Sequence, residues 1–154
     1  MEKKMNNKAF SLVELIIVVA IMAVLIGVLA PTYLKYVESS KKTADCSTIG
    51  SMMDACEVAA IDAAAKWSTG TIVIKVDVTN LTAKFDASST AGNDALNTVK
   101  EIAGDADLQT KWASSDFTIT ATKTADGKVQ FTCSDNTAKS AFQTTSEALY
   151  SRFE

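Results

Sequence analysis

The chain has 154 residues, 47% of them apolar and 21% charged, with a net charge of −3. That composition suits one domain of ordinary size with room for an appendage, and excludes collagen, a disordered tail or a low-complexity linker. Histidine is absent, which removes serine–histidine and cysteine–histidine nucleophilic pairs and every histidine-ligated metal site. The six glycines lie too far apart for a phosphate-cradling loop, no lysine or arginine cluster offers a stripe for nucleic acid, and Cys46, Cys56 and Cys133 are one thiolate short of a zinc site.

Residues Met1 to Ala9 hold Lys3, Lys4 and Lys8 against Glu2 alone, and from Phe10 to Ala30 every residue except Ser11 and Glu14 is apolar or glycine. This is a membrane segment with a basic flank. At about 1.5 Å per residue a helix of that length reaches ~30 Å, the depth of a bilayer's hydrocarbon core. A secretory signal reads similarly, with Val28-Leu29-Ala30 as its cleavage site. Two residues oppose it: Glu14 is a carboxylate inside the apolar run, and Pro31 would follow the cut directly. An intramembrane carboxylate needs a partner, and the segment contains no basic residue. Cleavage between Ala9 and Phe10 would supply one, the new α-amino group four residues from Glu14, on a neighbouring or identical chain.

The run Lys8-Ala9-Phe10-Ser11-Leu12-Val13-Glu14-Leu15 resembles the processing site of type IV prepilins. It has the short basic leader, a small residue before the cut, phenylalanine after it, and a glutamate four residues further on. Pro31 falls where those pilins commonly place a helix-kinking proline. The family nearly always has glycine where this chain has Ala9, and it carries a second proline, whereas Pro31 is the only one here. The resemblance implies a prepilin peptidase, N-methylation of Phe10, pilus assembly machinery, and a subunit stored in the membrane that polymerises with its own copies.

Beyond Pro31, Tyr33, Val37, Ile49, Met52, Met53, Cys56, Ala59, Ala60, Ala63 and Trp67 fall mostly at three- and four-residue spacings, which predicts one helix from about Phe10 to Lys66. Lys35, Glu38, Lys41, Lys42, Asp45, Asp54, Glu57 and Asp62 fill its polar side, with Glu38 placed to pair Lys41 or Lys42. Gly27 and Pro31 together make a weak point, since proline removes the hydrogen bond to the Gly27 carbonyl. After Gly70 the period changes to two, and Ile72, Ile74, Val76 and Val78 mark a half-buried strand that Leu81 to Phe85 extends or pairs. Leu96, Val99 and Ile102 predict a short helix over Asn93 to Ile102, with a further turn over Leu108 to Trp112. Phe117, Ile119 and Ala121 alternate, as do Val129, Phe131 and Cys133, around Ala125-Asp126-Gly127. A three-residue loop with Gly127 left-handed sets Phe131 opposite Ala121 and Cys133 opposite Ile119, whereas a two-residue loop would put core residues on opposite faces. Lys139 to Phe153 reads as a terminal helix capped by Asn136 or Thr137.

Asp105 and Asp107 match only two ligands of a calcium loop and read as a solvated turn. Cys46 and Cys56 lie about 15 Å apart along one helix and cannot bridge each other; Cys133 could reach either, against a reading as three free thiols. Asn80-Leu81-Thr82 is the single glycosylation sequon.

The expected architecture is α+β: a long N-terminal helix, half membrane anchor and half amphipathic, packed on a small antiparallel sheet with short additional helices including a C-terminal one. Its parts are a leader at 1–9, an apolar helix at 10–31 and a head at 32–154. The expected role is a structural one, without enzymatic activity, cofactor, metal or required nucleic acid. The protein is read as a major pilin held in the cytoplasmic membrane, in contact with lipid, and later part of an extracellular filament for adhesion or motility. The alternatives are a pseudopilin of a type II secretion or DNA-uptake machine, and a single-pass membrane protein with a ligand-binding or enzymatic head.

Overall fold

A computed structural model describes residues 10–111 and 113–153. Helix α1 (Leu12–Ile61) is followed by β1 (Thr71–Asp77), β2 (Thr82–Phe85), α2 (Asn93–Ile102), β3 (Ala106–Asp107), β4 (Phe117–Lys123), β5 (Val129–Cys133), α3 (Asn136–Thr145) and α4 (Glu147–Tyr150). The chain divides into two compact units, one ending at Val37 and one beginning at Glu38. The fold is α+β, with the long helix packed on a five-stranded antiparallel sheet of order β3-β2-β1-β4-β5.

In the unit from Glu38, the period-two pattern aligns one face of the sheet. Ile72, Ile74 and Val76 lie opposite Ala121, Ile119 and Phe117, while Phe131 and Cys133 lie opposite Ala121 and Ile119. This is the register expected of the three-residue loop. Thr124 and Lys128 close that loop through a 2.8 Å backbone bond, and Gly127 takes φ 85°, a value only glycine adopts without strain. Gly70, at φ 89°, is also required, because a Cβ there would collide with the Thr90 carbonyl. Against the sheet lie Cys46, Ile49, Met52, Met53, Ala55, Cys56, Ala59 and Ala60 of α1, with Trp67 and the helix residues Ala95, Val99, Phe142 and Leu149 completing one core.

Several expectations need correction. The helix stops at Ile61, not Lys66: the Asp62 carboxylate accepts the Ala64 amide at 2.8 Å, and Lys66 turns to φ 50°. The Lys123 ammonium on β4 donates to the carbonyls of Ala60 (2.6 Å) and Trp67 (2.7 Å), supplying the cation that the last helical turn lacks. The buried stripe begins at Asp45 and Cys46; Tyr33 stays exposed and Val37 only partly covered. Asp45, assigned to the polar side, is 1% exposed. Its carboxylate accepts the Gln109 amide (2.8 Å), the Thr110 amide (2.9 Å) and the Thr110 hydroxyl (2.5 Å).

That clasp, together with the pairing of Ala106–Asp107 against β2, replaces the helical turn expected after Leu108 in residues 108–111. Trp112 lies outside the described residues. Helix α2 has the expected bounds but buries Ala95 and Val99, leaving Ile102 49% exposed. The terminal helix starts at Asn136 because Asp135, not Asn136 or Thr137, accepts the amides of Thr137 and Ala138. Ser146, in extended conformation, then breaks it into α3 and α4 and caps the second. Phe153 lies beyond both, bridging in parallel to Phe131 on the outer edge of β5.

Candidate functional site

The unit ending at Val37 is built of one helix whose apolar side chains touch no core of their own. The fourteen large apolar residues between Leu12 and Leu29 are 45–73% exposed, and the most apolar stretch has a mean hydropathy of 3.1 with none of it buried. Its composition explains the helix in spite of six β-branched valines and isoleucines among residues 13–21. Leucine, alanine and methionine are good helix formers, and in lipid every backbone amide must be satisfied within the segment.

Ser11 opens the helix, its carbonyl accepting the amides of Glu14 (3.1 Å) and Leu15 (3.3 Å). Glu14 thereby stands in the first turn, where the exposed helix amides favour a negative charge. Its side chain makes no ion pair or hydrogen bond among the described residues, so a partner must come from elsewhere. Phe10, 86% exposed, immediately precedes Ser11. Ala9 and the expected cleavage bond fall outside the described residues. Pro31 stands inside α1 and cannot donate to the Gly27 carbonyl; a Cβ on Gly27 would meet only open space. Gly27 is therefore not held there by crowding within the chain.

The unit from Glu38 offers no comparable chemistry. Among the described residues no group of three or more cysteine or carboxylate side chains could hold a metal, and Asp105 and Asp107 are both exposed. A shallow groove of about 420 Å³ between α1 and the C-terminal helices has Asp54 and Arg152 on its wall. The guanidinium is taken up at 2.8 Å by Asp54 and 2.7 Å by Glu57, and it stacks 5.1 Å from the Phe131 ring. This arrangement holds the C-terminus to α1.

The three cysteines are free thiols, so the bridge from Cys133 to Cys46 or Cys56 is not formed. Burial, assisted by the Asp45 carboxylate, pushes the Cys46 thiol up to about 11. Burial pushes Cys56 up to about 12, and it also raises Cys133, whose Sγ donates to the Asp135 carbonyl at 3.4 Å. Thiolate chemistry is suppressed at all three. The carboxylate that sequence reasoning missed is Asp45; its adjacency to Cys46 at the start of the apolar stripe is the one available signal.

Residues 4–30 match the family model described as the prokaryotic N-terminal methylation motif. No curated protein and no solved structure matches the chain.

Proposed function

We propose, from a chain that carries a type IV pilin-like prepilin N-terminus, that the protein is the principal structural subunit of a type IV pilus. A prepilin peptidase removes residues 1–9, the freed amine of Phe10 is methylated, and the mature subunit waits in the cytoplasmic membrane on its apolar helix. Assembly machinery then transfers that helix from lipid into the core of an extracellular filament made of identical subunits. The role is structural and needs no catalytic group.

The observation that carries this reading is the unit ending at Val37. Fourteen large apolar side chains are presented on all sides of a single helix, with one carboxylate in its first turn. Each such side chain gains roughly 1.5–3 kcal/mol on leaving water, so the segment is committed to lipid or to copies of itself. Glu14 then fixes axial register by pairing with the Phe10 amine of an adjacent subunit, which offsets the few kcal/mol that a lone charge costs in lipid.

The test is co-expression with a prepilin peptidase, N-terminal sequencing, and electron microscopy of sheared surface material. The expected results are a mature chain beginning at Phe10 and long fibres. Short fibres confined to the envelope would assign a pseudopilin role instead, and a mature chain beginning at Pro31 would make the segment a secretory signal. Glu14→Gln should be processed normally while its incorporation into fibres falls at least tenfold; unchanged yield would refute the pairing.

A further inference from the structure

Among the described residues, the exposed aromatic side chains are not scattered. From Glu38 onward, Trp67, Phe85, Phe117, Phe131, Phe142 and Phe153 are all buried, and Tyr150 is half-buried with the Lys139 ammonium over its ring. Among the described residues, the large aromatic side chains left in the open are Phe10 at 86%, Tyr33 at 67% and Tyr36 at 72%. All three belong to the unit ending at Val37, and they flank the apolar run at its two ends.

Length places the tyrosines. If residues 10–30 fill the hydrocarbon core, Tyr33 starts about 4.5 Å and Tyr36 about 9 Å beyond its boundary. A bilayer adds roughly 5–7 Å of headgroup layer on each side of its ~30 Å core. Helical side chains lean toward the N-terminus, which here means back toward the core, so both rings reach into that layer. Three residues apart, they share one side of the helix. A phenol suits this position, since its ring prefers the acyl boundary while its hydroxyl stays hydrated. Lys35, exposed between them, carries an ammonium to the level of the lipid phosphates.

We infer that Tyr33 and Tyr36 form a collar that seats in the phospholipid headgroup layer and sets the depth of the membrane-stored helix. The inference rests on residues 10–30 being inserted in lipid. Its consequence reaches the other end of the span: Glu14 is nineteen residues from Tyr33, about 28 Å along the helix, and so is held roughly 6 Å inside the opposite boundary. That is within reach of the headgroups there, where a carboxylate snorkels and an incoming amine can meet it.

The test uses the full chain labelled with 3-fluorotyrosine, reconstituted in phosphatidylcholine–phosphatidylglycerol vesicles and checked by flotation. Fluorine NMR is then recorded with a nitroxide placed near the ester end or near the methyl end of the acyl chains. Tyr33→Phe and Tyr36→Phe assign the signals, and Tyr150 serves as an internal control. The expected result is several-fold greater broadening of Tyr33 and Tyr36 by the ester-end label than by the methyl-end label, with Tyr150 affected by neither. Protein that floats but shows both tyrosines untouched, or broadened most by the methyl-end label, overturns the collar and leaves the membrane reading standing. Signals that shift only with protein-to-lipid ratio assign the rings to contacts between copies and also overturn it. Failure to float removes the membrane reading and the collar together.

Discussion

The two halves of α1 put their apolar residues to opposite ends, the first being far richer in them. Before Val37 the apolar residues are large, mainly leucine, isoleucine and valine, and they face outward on every side. After Glu38 the buried ones are mostly small or flexible, Cys46, Met52, Met53, Ala55, Cys56, Ala59 and Ala60 beside Ile49, and lie on the side that meets the sheet, while Val58 and Ile61 stay exposed. Small residues let the sheet approach the helix axis, and methionine fills the irregular gaps that remain. Apolar content and residue size together therefore separate a helix that finds its partner within the chain from one that finds it outside.

The sharpest way to break that contrast is to remove one side of it. A chain beginning at Glu38 should keep its circular dichroism spectrum and stay soluble and monomeric, while the full chain floats entirely with vesicles. Aggregation of the folded fragment would mean that the second unit also exposes an assembly surface.

A smaller change tests whether the first half is held by its surroundings or by its own backbone. Gly27→Ala with Pro31→Ala restores a hydrogen bond to the Gly27 carbonyl and removes a flexible position, together worth about 4 kcal/mol of helix stability. Amide exchange in micelles should slow across residues 27–31 with no change in the sheet. Unchanged exchange would show that the weak point is already rigid.

In the second half, Asp45 links α1 to residues 109–110 from inside the core. Asp45→Ala strands the partly buried amides of Gln109 and Thr110 and should cost about 2 kcal/mol in urea unfolding, with Asp45→Asn, which keeps one acceptor, losing roughly half as much. Equal stability of the alanine variant would show that the loop rests on Leu108 packing alone.

The smallest effect is electrostatic and belongs to the second unit only. Asp77, hydrogen-bonded by the Asn80 and Thr79 amides and the Asn80 side chain, Asp86, hydrogen-bonded by Ser88, and Asp126, hydrogen-bonded by the Thr124 hydroxyl, are all held below the usual carboxylate range. A depressed folded-state value means their contribution is complete above the unfolded value of about 3.9 and is lost as pH falls through the lower folded values. Thermal stability should be flat in this respect from neutral pH to about 4 and decline gently below it. A decline already present near pH 6 would point to another group.

Much of this organisation was legible beforehand where two constraints coincided. The hairpin register follows from alternation on both strands plus a loop containing Gly127, and the bounds of α2 from the helical spacing of Leu96, Val99 and Ile102. What escaped was long-range. Beyond its adjacency to Cys46, nothing local distinguishes Asp45 from Asp54 on the same helix, because its partners lie more than sixty residues away. Likewise, the helix ends where a lysine on β4 meets it, and Ser146 interrupts the C-terminal helix so that Phe142, Leu149 and Phe153 can all be buried. The periodicity runs on to Tyr33 because it reports a face without reporting what covers it. In the candidate site, Glu14, Gly27 and Pro31 were visible as exceptions within an otherwise apolar run.

The contact between Phe153 and Phe131 bears on a hazard that any densely displayed domain faces. Identical sheets crowded at high local concentration template one another through unpaired strand edges, and the end point is cross-β aggregation. In this sheet one outer strand, β3, is two residues long, and the other, β5, is met at its central Phe131 by a bridge from Phe153. Both edges thus offer an incoming strand little to pair with. In the proposed filament, copies of this unit could then stand side by side in numbers, with polymerisation left to the helix and kept out of the sheet.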